Sequence, residues 1–430
     1  MKFNEYGEYI PFQEKECSRI CGICLNVCPF HDQNTNETES GKSLYEGIRD
    51  IKYLPETGYY LDSYAGYSAN FRQNSASGGM TTWLLTTLLR EKLVDYVIAV
   101  TAYPNPDQLF QYTIFEDEKS VLTSSGSVYY PVEMSNVIKT ILDKPGRYAI
   151  VGLPCFLKGL RYAAQKNKKL KERISVTVGL VCGQMKSKHY TAYLSALTNA
   201  GGKLRNVHFR GKSPNKQASN FYFYCVNENG DEGKIFSSDG VAEAWINRWF
   251  TLNACNYCDD VFAELADVTF MDAWLPEYSS DSRGTNLTIV RNPFINDLIL
   301  KGSKENQINI DKISIKKVIE SQQGVIDFKQ RSISYRLYLA KIKGLKVPDK
   351  RLDMSNKIDL FKKQEIKIKY EMQKASKHLF IANYKGNGFN IENFRNGMQI
   401  YLIKMSIQKT VYSIFTDAYF MVKKIKIILS

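Results

Sequence analysis

The sequence predicts an α/β fold that turns α+β in its later half, fronted by a small cysteine-rich module and followed by a basic helical region. Three observations lead there. Apolar strand-like runs alternate with helix-period segments from Leu61 to Asn199, the pattern of helices packed on a sheet. Four cysteines fall within residues 17–28, in a polar stretch too short to build a core unaided. Beyond residue 300 the charge changes character. Residues 301–430 carry 27 Lys+Arg against 11 Asp+Glu, a net of +16, whereas the first 300 hold 31 against 33, a net of −2.

These boundaries divide the chain into residues 1–60, 61–145, 146–300 and 301–430. Within the first, 36–60 reads as a connecting loop rich in Asn, Thr, Glu, Ser and Gly. The segment SASGGMTTWLLTTLLREKLVD opens on a Ser/Gly turn and continues as an amphipathic helix. Strands are expected at Tyr96–Thr101, Gln111–Phe115, Tyr148–Val151 and Ile174–Val181. Helices are expected over 157–167 and 189–199. Residues 203–240 suggest antiparallel strands, with FYFYCV and KIFSS as candidates. A helix over 241–252 and short strands at 267–272 and 286–290 follow. In the last third, 313–345 and 356–382 read as long basic amphipathic helices. The terminal YLIKMSIQKTVYSIFTDAYFMVKKIKIILS is apolar on much of its surface and ends in lysines, a pattern that suits packing on the body, pairing with another subunit or a membrane interface.

Composition narrows the function. No run of 18 or more uncharged apolar residues suggests a membrane span, and MKFNEYGEYI lacks the basic start and apolar run of a secretory signal, so a cytoplasmic location is expected. The basic last third lacks zinc-finger spacing and aromatic RNA-binding signatures, so no nucleic-acid partner is expected.

The nine cysteines carry the chemistry. In a chain without an export signal, clustered cysteines point to metal ligation or redox work. The first group is Cys17-x3-Cys21-x2-Cys24-x3-Cys28-Pro29. Cys-x2-Cys lets one tight loop present two sulfurs to one centre, and Cys-x3-Cys-Pro ends a bacterial ferredoxin run. The proline stops a helix from entering the loop. The ferredoxin pattern would put its first cysteine at Ser18, so Cys17 is displaced by one residue. Zinc usually takes two well-separated pairs, not four cysteines in twelve residues. A ferredoxin-like 4Fe-4S module over residues 1–60 is the expectation. A second group is dispersed: Cys155 and Cys182 follow strands, where α/β folds place ligands, and Cys255-x2-Cys258 is a pair suited to ligation. Together they would complete a second cluster, with Cys28 an alternative member. Cys225, inside a strand, reads as a small buried hydrophobe.

On these residues the chain resembles the coenzyme F420 hydrogenase/dehydrogenase beta-subunit family. The matching segments are CGICLNVCP, Phe71-Arg-Gln-Asn-Ser-Ala-Ser-Gly-Gly79, GLPCFLKGLR, GLVCG, CNYCDDVFAELADVTFMDAW, Gly284-Thr-Asn and Val290-Arg291, in the same order over about residues 10–295. The resemblance stops short of the basic extension, 301–430. It implies a mixed α/β flavin-binding core in two parts, 61–145 and 146–300. It further implies FAD beside one or two 4Fe-4S clusters, and electron passage between a partner such as ferredoxin and a substrate such as F420. Bacterial members with long extensions also resemble proteins of polysaccharide biosynthesis loci.

The resemblance assigns the flavin to Ser75, Ser77, Gly78 and Gly79, where free amides at a helix start suit a phosphate, with Arg72 adding charge. By itself Ser/Gly before a helix is usually an N-cap. Gly152, Pro154 and Cys155 would bring a cluster sulfur near the flavin. Two positions depart from the family pattern: Met271 stands where a glycine precedes Asp272 and Trp274, and Gly183 follows Cys182 directly. No catalytic residue emerges, and His31, His189 and His208 read as surface or loop histidines. Two rival functions remain: a non-catalytic electron-transfer subunit of a larger complex, and a polysaccharide-biosynthesis accessory protein with structural clusters. Docking on another protein through the basic C-terminus, or homo-oligomerisation, fits any of them.

Overall fold

The computed structural model describes residues 1–14, 16–17, 21–32, 34–385 and 388–428, with side chains in the last helix as far as Thr416. Its centre is an eight-stranded mixed sheet. The strands of this sheet and of a smaller one are, in chain order, β1 (Asp62–Tyr67), β2 (Tyr96–Ala102), β3 (Phe110–Phe115), β4 (Tyr148–Gly152), β5 (Ile174–Leu180), β6 (Leu204–Gly211), β7 (Tyr222–Asn227), β8 (Glu232–Phe236), β9 (Val268–Asp272), β10 (Asn286–Val290) and β11 (Asn309–Lys312). The large sheet runs β11-β1-β10-β9-β5-β4-β2-β3, and β6-β7-β8 form the small one. Its middle, β9-β5-β4-β2, is parallel, and the flanking pairs are antiparallel.

Helices cover both faces of the parallel middle, so its strands must be apolar on both sides. Every residue of β4 is buried. Along β2, Val97 and Ala99 join one core with Trp83 and Leu84, whereas Ile98 joins the opposite core with Leu157 and Leu160. That alternation follows from the two-residue period of a strand. In the small sheet Phe223 and Cys225 point inward and are fully buried.

The helices used below are α1 (Glu37–Tyr45), α2 (Met80–Arg90), α3 (Pro154–Lys166), α4 (Lys188–Leu197), α5 (Leu360–Asn383) and α6 (Ile391–Ile428). α3 starts with Pro154 at its first turn, where a missing N–H costs nothing. α6 packs Phe394, Met398 and Met405 against the body and exposes Ile400, Ile403, Ile407 and Ile414 on another side. Among the described residues no helix is long and apolar enough to cross a membrane. The terminal lysines Lys423, Lys424 and Lys426 lie beyond the described side chains.

Several expectations need correction. Residues 36–60 are not a loop: they hold α1 and the hairpin Lys52–Leu54/Gly58–Tyr60. Asn36 accepts from the Glu39 amide at 3.1 Å, and Glu39 accepts from the Asn36 amide at 3.4 Å, a capping box that starts α1. The helix expected over 241–252 stops at Ile246, because Arg248 and Phe250 take left-handed φ values of 62° and 58°. The helix expected over 313–345 is broken into Ile315–Ser321, Gln323–Ile326, a π-helical turn at Asp327–Arg331, and Ile333–Lys341. β1 and β11 were not expected as strands. β1 joins the sheet beside β10 and β11 adds to the far side of β1, so one sheet spans residues 62–312.

Gly78 sits where the loop before α2 crosses β1 and β10. A Cβ there would meet Gly66 O at 2.7 Å and the Asn286 amide at 2.8 Å, whereas one on Gly47 would meet nothing within 4 Å. Gly78→Ala is therefore expected to cost about 1–3 kcal/mol, read as a lower urea midpoint. Gly47→Ala should unfold within about 0.5 kcal/mol of the parent protein.

Candidate functional site: two cysteine groups and a cavity between strand ends

The first cysteine group lies at the surface. Cys17, Cys21 and Cys24 are exposed and Cys28 is half-buried. Gly22 adopts a left-handed φ of 54° and starts the single turn Ile23–Asn26. Asn34 closes the loop by donating to Cys28 O at 2.7 Å and Leu25 O at 3.1 Å. Ser18 lies outside the described residues.

The second group is brought together by the sheet. Cys155 enters α3 just past β4, and Cys182 lies just past β5. Cys255 sits in the turn Asn253–Tyr257 and Cys258 ends it. The Met185 amide donates to Cys255 Sγ at 3.2 Å, and the Cys182 amide donates to Val261 O at 3.0 Å. The loop carrying Cys255 and Cys258 is fastened by guanidinium groups that donate to backbone carbonyls. Arg161 reaches Leu265 O at 3.0 Å, Arg291 reaches Ala266 O and Phe262 O at 3.3 Å, and Arg336 reaches Asn256 O at 2.7 Å.

Cys155 lies within electrostatic reach of the other three thiols. Burial first, then Cys258, Cys182 and Cys255, push the Cys155 thiol well up. Burial also pushes Cys182 up to about 12, with Lys329 working against it. A metal that took these ligands would displace their protons. As placed, no three His, Cys, Asp or Glu groups among the described residues are gathered to hold a metal ion. An iron–sulfur core is a larger body held by separate thiolates.

The fit to an anionic cluster rests on the cations around these thiols. Lys329, on the π-helical turn, donates to Cys182 O at 2.9 Å and to Asp260 O. Arg336 reaches Cys255 O at 3.4 Å. Arg248 lies over the Phe328 ring at 4.0 Å, with Arg336 at 4.7 Å. All three are buried, and Arg248 Nε and Nη2 and Arg336 Nε lack hydrogen-bond partners. Among the described residues none of the three pairs with a carboxylate. Buried unpaired cations are costly, and four thiolates on a cluster would supply the missing negative charge.

Behind Cys258 lies a separate ionic network. Glu37 accepts from Lys158 at 2.9 Å and from Lys350 at 3.4 Å; Lys350 reaches Asp259 at 2.8 Å; Arg351 reaches Glu264 at 2.9 Å. All but Arg351 are nearly fully buried.

A cavity of about 460 Å³ opens at the carboxyl ends of the parallel strands, lined by Val100, Gly152, Leu180 and Asp272. Ligands of open α/β sheets bind in such a place, and the size is that of a small-molecule site. One end is formed by Ser75, Ala76, Ser77 and Gly79 at the start of α2, and the other reaches Cys182 and Gly183. Ser124–Ser127 adds a second Ser/Gly wall. The Met80 amide is taken by Asn286 Oδ1 at 3.1 Å; the remaining amides opening α2 suit a phosphate, and the lining is mostly apolar, the character of a small-molecule site.

Of the residues expected here, Ser75, Ser77, Gly79 and Gly152 line the cavity, whereas Arg72, Gly78 and Pro154 do not. Arg72 does not line the cavity: it donates to Gly284 O at 2.6 Å and Asp281 at 2.9 Å, and stacks on Tyr67. Gly78 is required by its contact with β1. Pro154 is buried at the start of α3, and the Ser77 hydroxyl donates to Thr285 O at 2.8 Å. Gly152 faces the cavity, and a Cβ there would meet Leu157 at 2.8 Å. His189 is not a surface residue. It sits on α4 with its ring 4.3 Å from that of Phe380, and burial pushes its imidazole down to about 4.

Some contributors had no sequence signal. Lys329 and Arg336 read as solvated residues of a basic helix. Lys212 clamps the Ser75 loop by donating to Ser77 O at 2.7 Å, Arg72 O at 2.5 Å and Arg283 O at 2.5 Å. Ser124-Ser-Gly-Ser127 did carry a signal, since it repeats the Ser/Gly character of Ser75–Gly79.

Two family models match this chain. Residues 63–139 match the one for the N-terminal part of the coenzyme F420 hydrogenase/dehydrogenase beta subunit, and residues 146–316 match the one for its C-terminal part. No curated protein matches. Among solved structures, a chain of the F420-reducing NiFe hydrogenase complex from Methanosarcina barkeri, known from its xenon derivative, is similar in fold. The TM-score is 0.53 at 16% identity, covering 69% of this chain and 99% of that one.

Two measurements test the ionic network. Lys350→Met should cost about 3 kcal/mol by leaving Glu37 and Asp259 under-compensated, seen as a lower urea midpoint. Burial alone would raise the Glu37 carboxyl, but Lys350, then Lys158 and Arg351, hold it well below its ordinary 4.5. The stability it confers is complete above that pH and is lost as the pH falls below it. Glu37→Gln should therefore flatten the acid side of the stability profile.

Proposed function

The chain belongs to the coenzyme F420 hydrogenase/dehydrogenase beta-subunit family, an iron–sulfur family of electron transfer, and we propose that it is an iron–sulfur flavoprotein oxidoreductase. In this reading it passes electrons between a ferredoxin-like or F420-type donor and a small-molecule substrate. When bound, the clusters supply one-electron transfer and FAD supplies exchange of electron pairs. One observation carries the reading: Cys182 belongs to the inner cysteine group and also lines the cavity. A redox centre held there and a ligand in the cavity would share a wall.

The chain's residues then divide the work. Cys155, Cys182, Cys255 and Cys258 hold the inner cluster, and Arg161, Arg291 and Arg336 keep their loop in place. Cys17, Cys21, Cys24 and Cys28 hold an outer cluster at the surface, where a redox partner has access. The amides at Ala76–Gly79 bind the flavin phosphates, Lys212 fixes that loop, and Val151, Leu180 and Phe156 keep the cavity dry. The buried Arg210–Asp272 pair, 2.7 Å apart, forms a polar wall beside Trp274 for the substrate.

Anaerobic purification followed by iron, sulfide and flavin analysis tests the assignment. Cys182→Ser and Cys258→Ser should each lose about four irons while the outer set remains, and Cys21→Ser with Cys24→Ser should lose the complementary set. Ala76→Trp, which fills the cavity mouth, should lose flavin and keep iron. Iron-free wild-type protein would sink the reading. Clusters that bind but never cycle between redox states would favour a structural, accessory role.

A further inference from the structure

The matched family region ends at residue 316, yet two of the three unpaired cations beside the inner cysteines lie beyond it. Lys329 comes from the π-helical turn and Arg336 from the helix after it. The π turn has a geometric consequence. It interrupts the helical run so that Phe328 and Lys329 are both buried, Phe328 under two guanidinium groups and Lys329 against Cys182. Ser332 holds the turn by donating to Asp327 O at 2.8 Å, and Arg336 Nη2 donates to Lys329 O at 2.6 Å. π turns of this kind recur at functional sites.

We infer that residues 323–341 form a redox-tuning segment, in which Lys329 and Arg336, together with Arg248 of the core, raise the reduction potential of the cluster held by Cys155, Cys182, Cys255 and Cys258. The inference rests on the iron–sulfur reading above. Lys329, Arg336 and Arg248 act as positioning residues and touch no substrate. Reduction adds one electron to the cluster from a one-electron donor of the ferredoxin class, makes and breaks no bond, and leaves the cluster one charge more negative. Net charge and hydrogen bonding are among the levers that set such potentials. Burial alone disfavours the more charged, reduced state. Fixed buried cations without carboxylate partners oppose it, because their field is not cancelled locally and water cannot screen it. Asp260 is near Lys329, but Lys329 meets its backbone carbonyl, and the Asp260 side chain is turned to the Glu264 amide, from which it accepts at 3.0 Å. Lys329 and Arg336 meet carbonyls of the inner cysteines Cys182 and Cys255, so the segment tunes that centre.

The test is a spectroscopically monitored redox titration, with dithionite as reductant, of anaerobically purified full-length protein, with iron and sulfide counted in each sample. Lys329→Met should shift the inner cluster's reduction equilibrium about tenfold toward the oxidised form, about 59 mV for a one-electron couple. Lys329→Arg should titrate close to wild type, and the outer cluster's potential should not move in either. An unchanged inner potential in Lys329→Met with full iron overturns the inference. Should that variant fail to hold iron, Arg248→Met serves instead, because two of its guanidinium nitrogens have no hydrogen-bond partner to lose. A lowered potential there supports the inference, and an unchanged one overturns it. Absence of iron from wild-type protein would instead remove the reading on which the inference stands.

Discussion

Six charged side chains share one dehydrated site behind Cys258, and the arrangement of the chain depends on their staying together. Glu37 comes from α1, Lys158 from α3, Asp259 and Glu264 from the inner cysteine loop, and Lys350 and Arg351 from the extension. No one of these segments can withdraw without stranding a buried charge in another. The network therefore joins four segments that lie far apart in the sequence. It also sets where Cys258 sits, since Asp259 is the next residue.

The two cysteine groups answer different physical demands. The outer one is built from a local turn, a left-handed glycine and an asparagine clasp, and three of its four thiols face solvent. The inner one is assembled from strand ends and a distant loop, under cations that have no carboxylate of their own. A surface centre suits exchange with another protein, whereas an inner centre against a cavity suits exchange with a bound small molecule. The family relationship supplies iron–sulfur electron transfer as the common theme; the surroundings of each group give the two ends distinct roles.

Much of this was legible in the sequence. The parallel strands β2, β4 and β5 were visible because burial on both faces makes them continuous apolar runs, and α2 was visible from its Ser/Gly start. The cysteine groups were legible from spacing and strand context. Failures cluster where long-range pairing decides. β1 reads as Asp-Ser-Tyr-Ala-Gly-Tyr, with weak strand propensity, and becomes a strand because β10 and β11 lie on either side of it. Gly324 lies at the first break of the 313–345 helix, but the π turn after it has no local breaker: Phe328 and Lys329 are drawn inward by guanidinium–ring contacts and by carbonyl acceptors on remote loops. Arg72 illustrates the opposite error, since its basic charge beside a phosphate-like loop is spent on Asp281 and Gly284.

The position of β1 in the sheet has a consequence for synthesis. Asp62 pairs with Val290 and Tyr67 with Asn309, so this strand emerges early and waits for partners about 220 residues downstream. At ribosomal rates of roughly 5–20 residues per second, the wait is on the order of ten seconds or more. For most of that interval the outer cysteine run is already made, while the inner group still lacks Cys255 and Cys258, which emerge shortly before β10. Any machinery that delivers iron and sulfide therefore meets the two groups at different stages, the surface one on a nascent chain and the inner one only as the sheet closes.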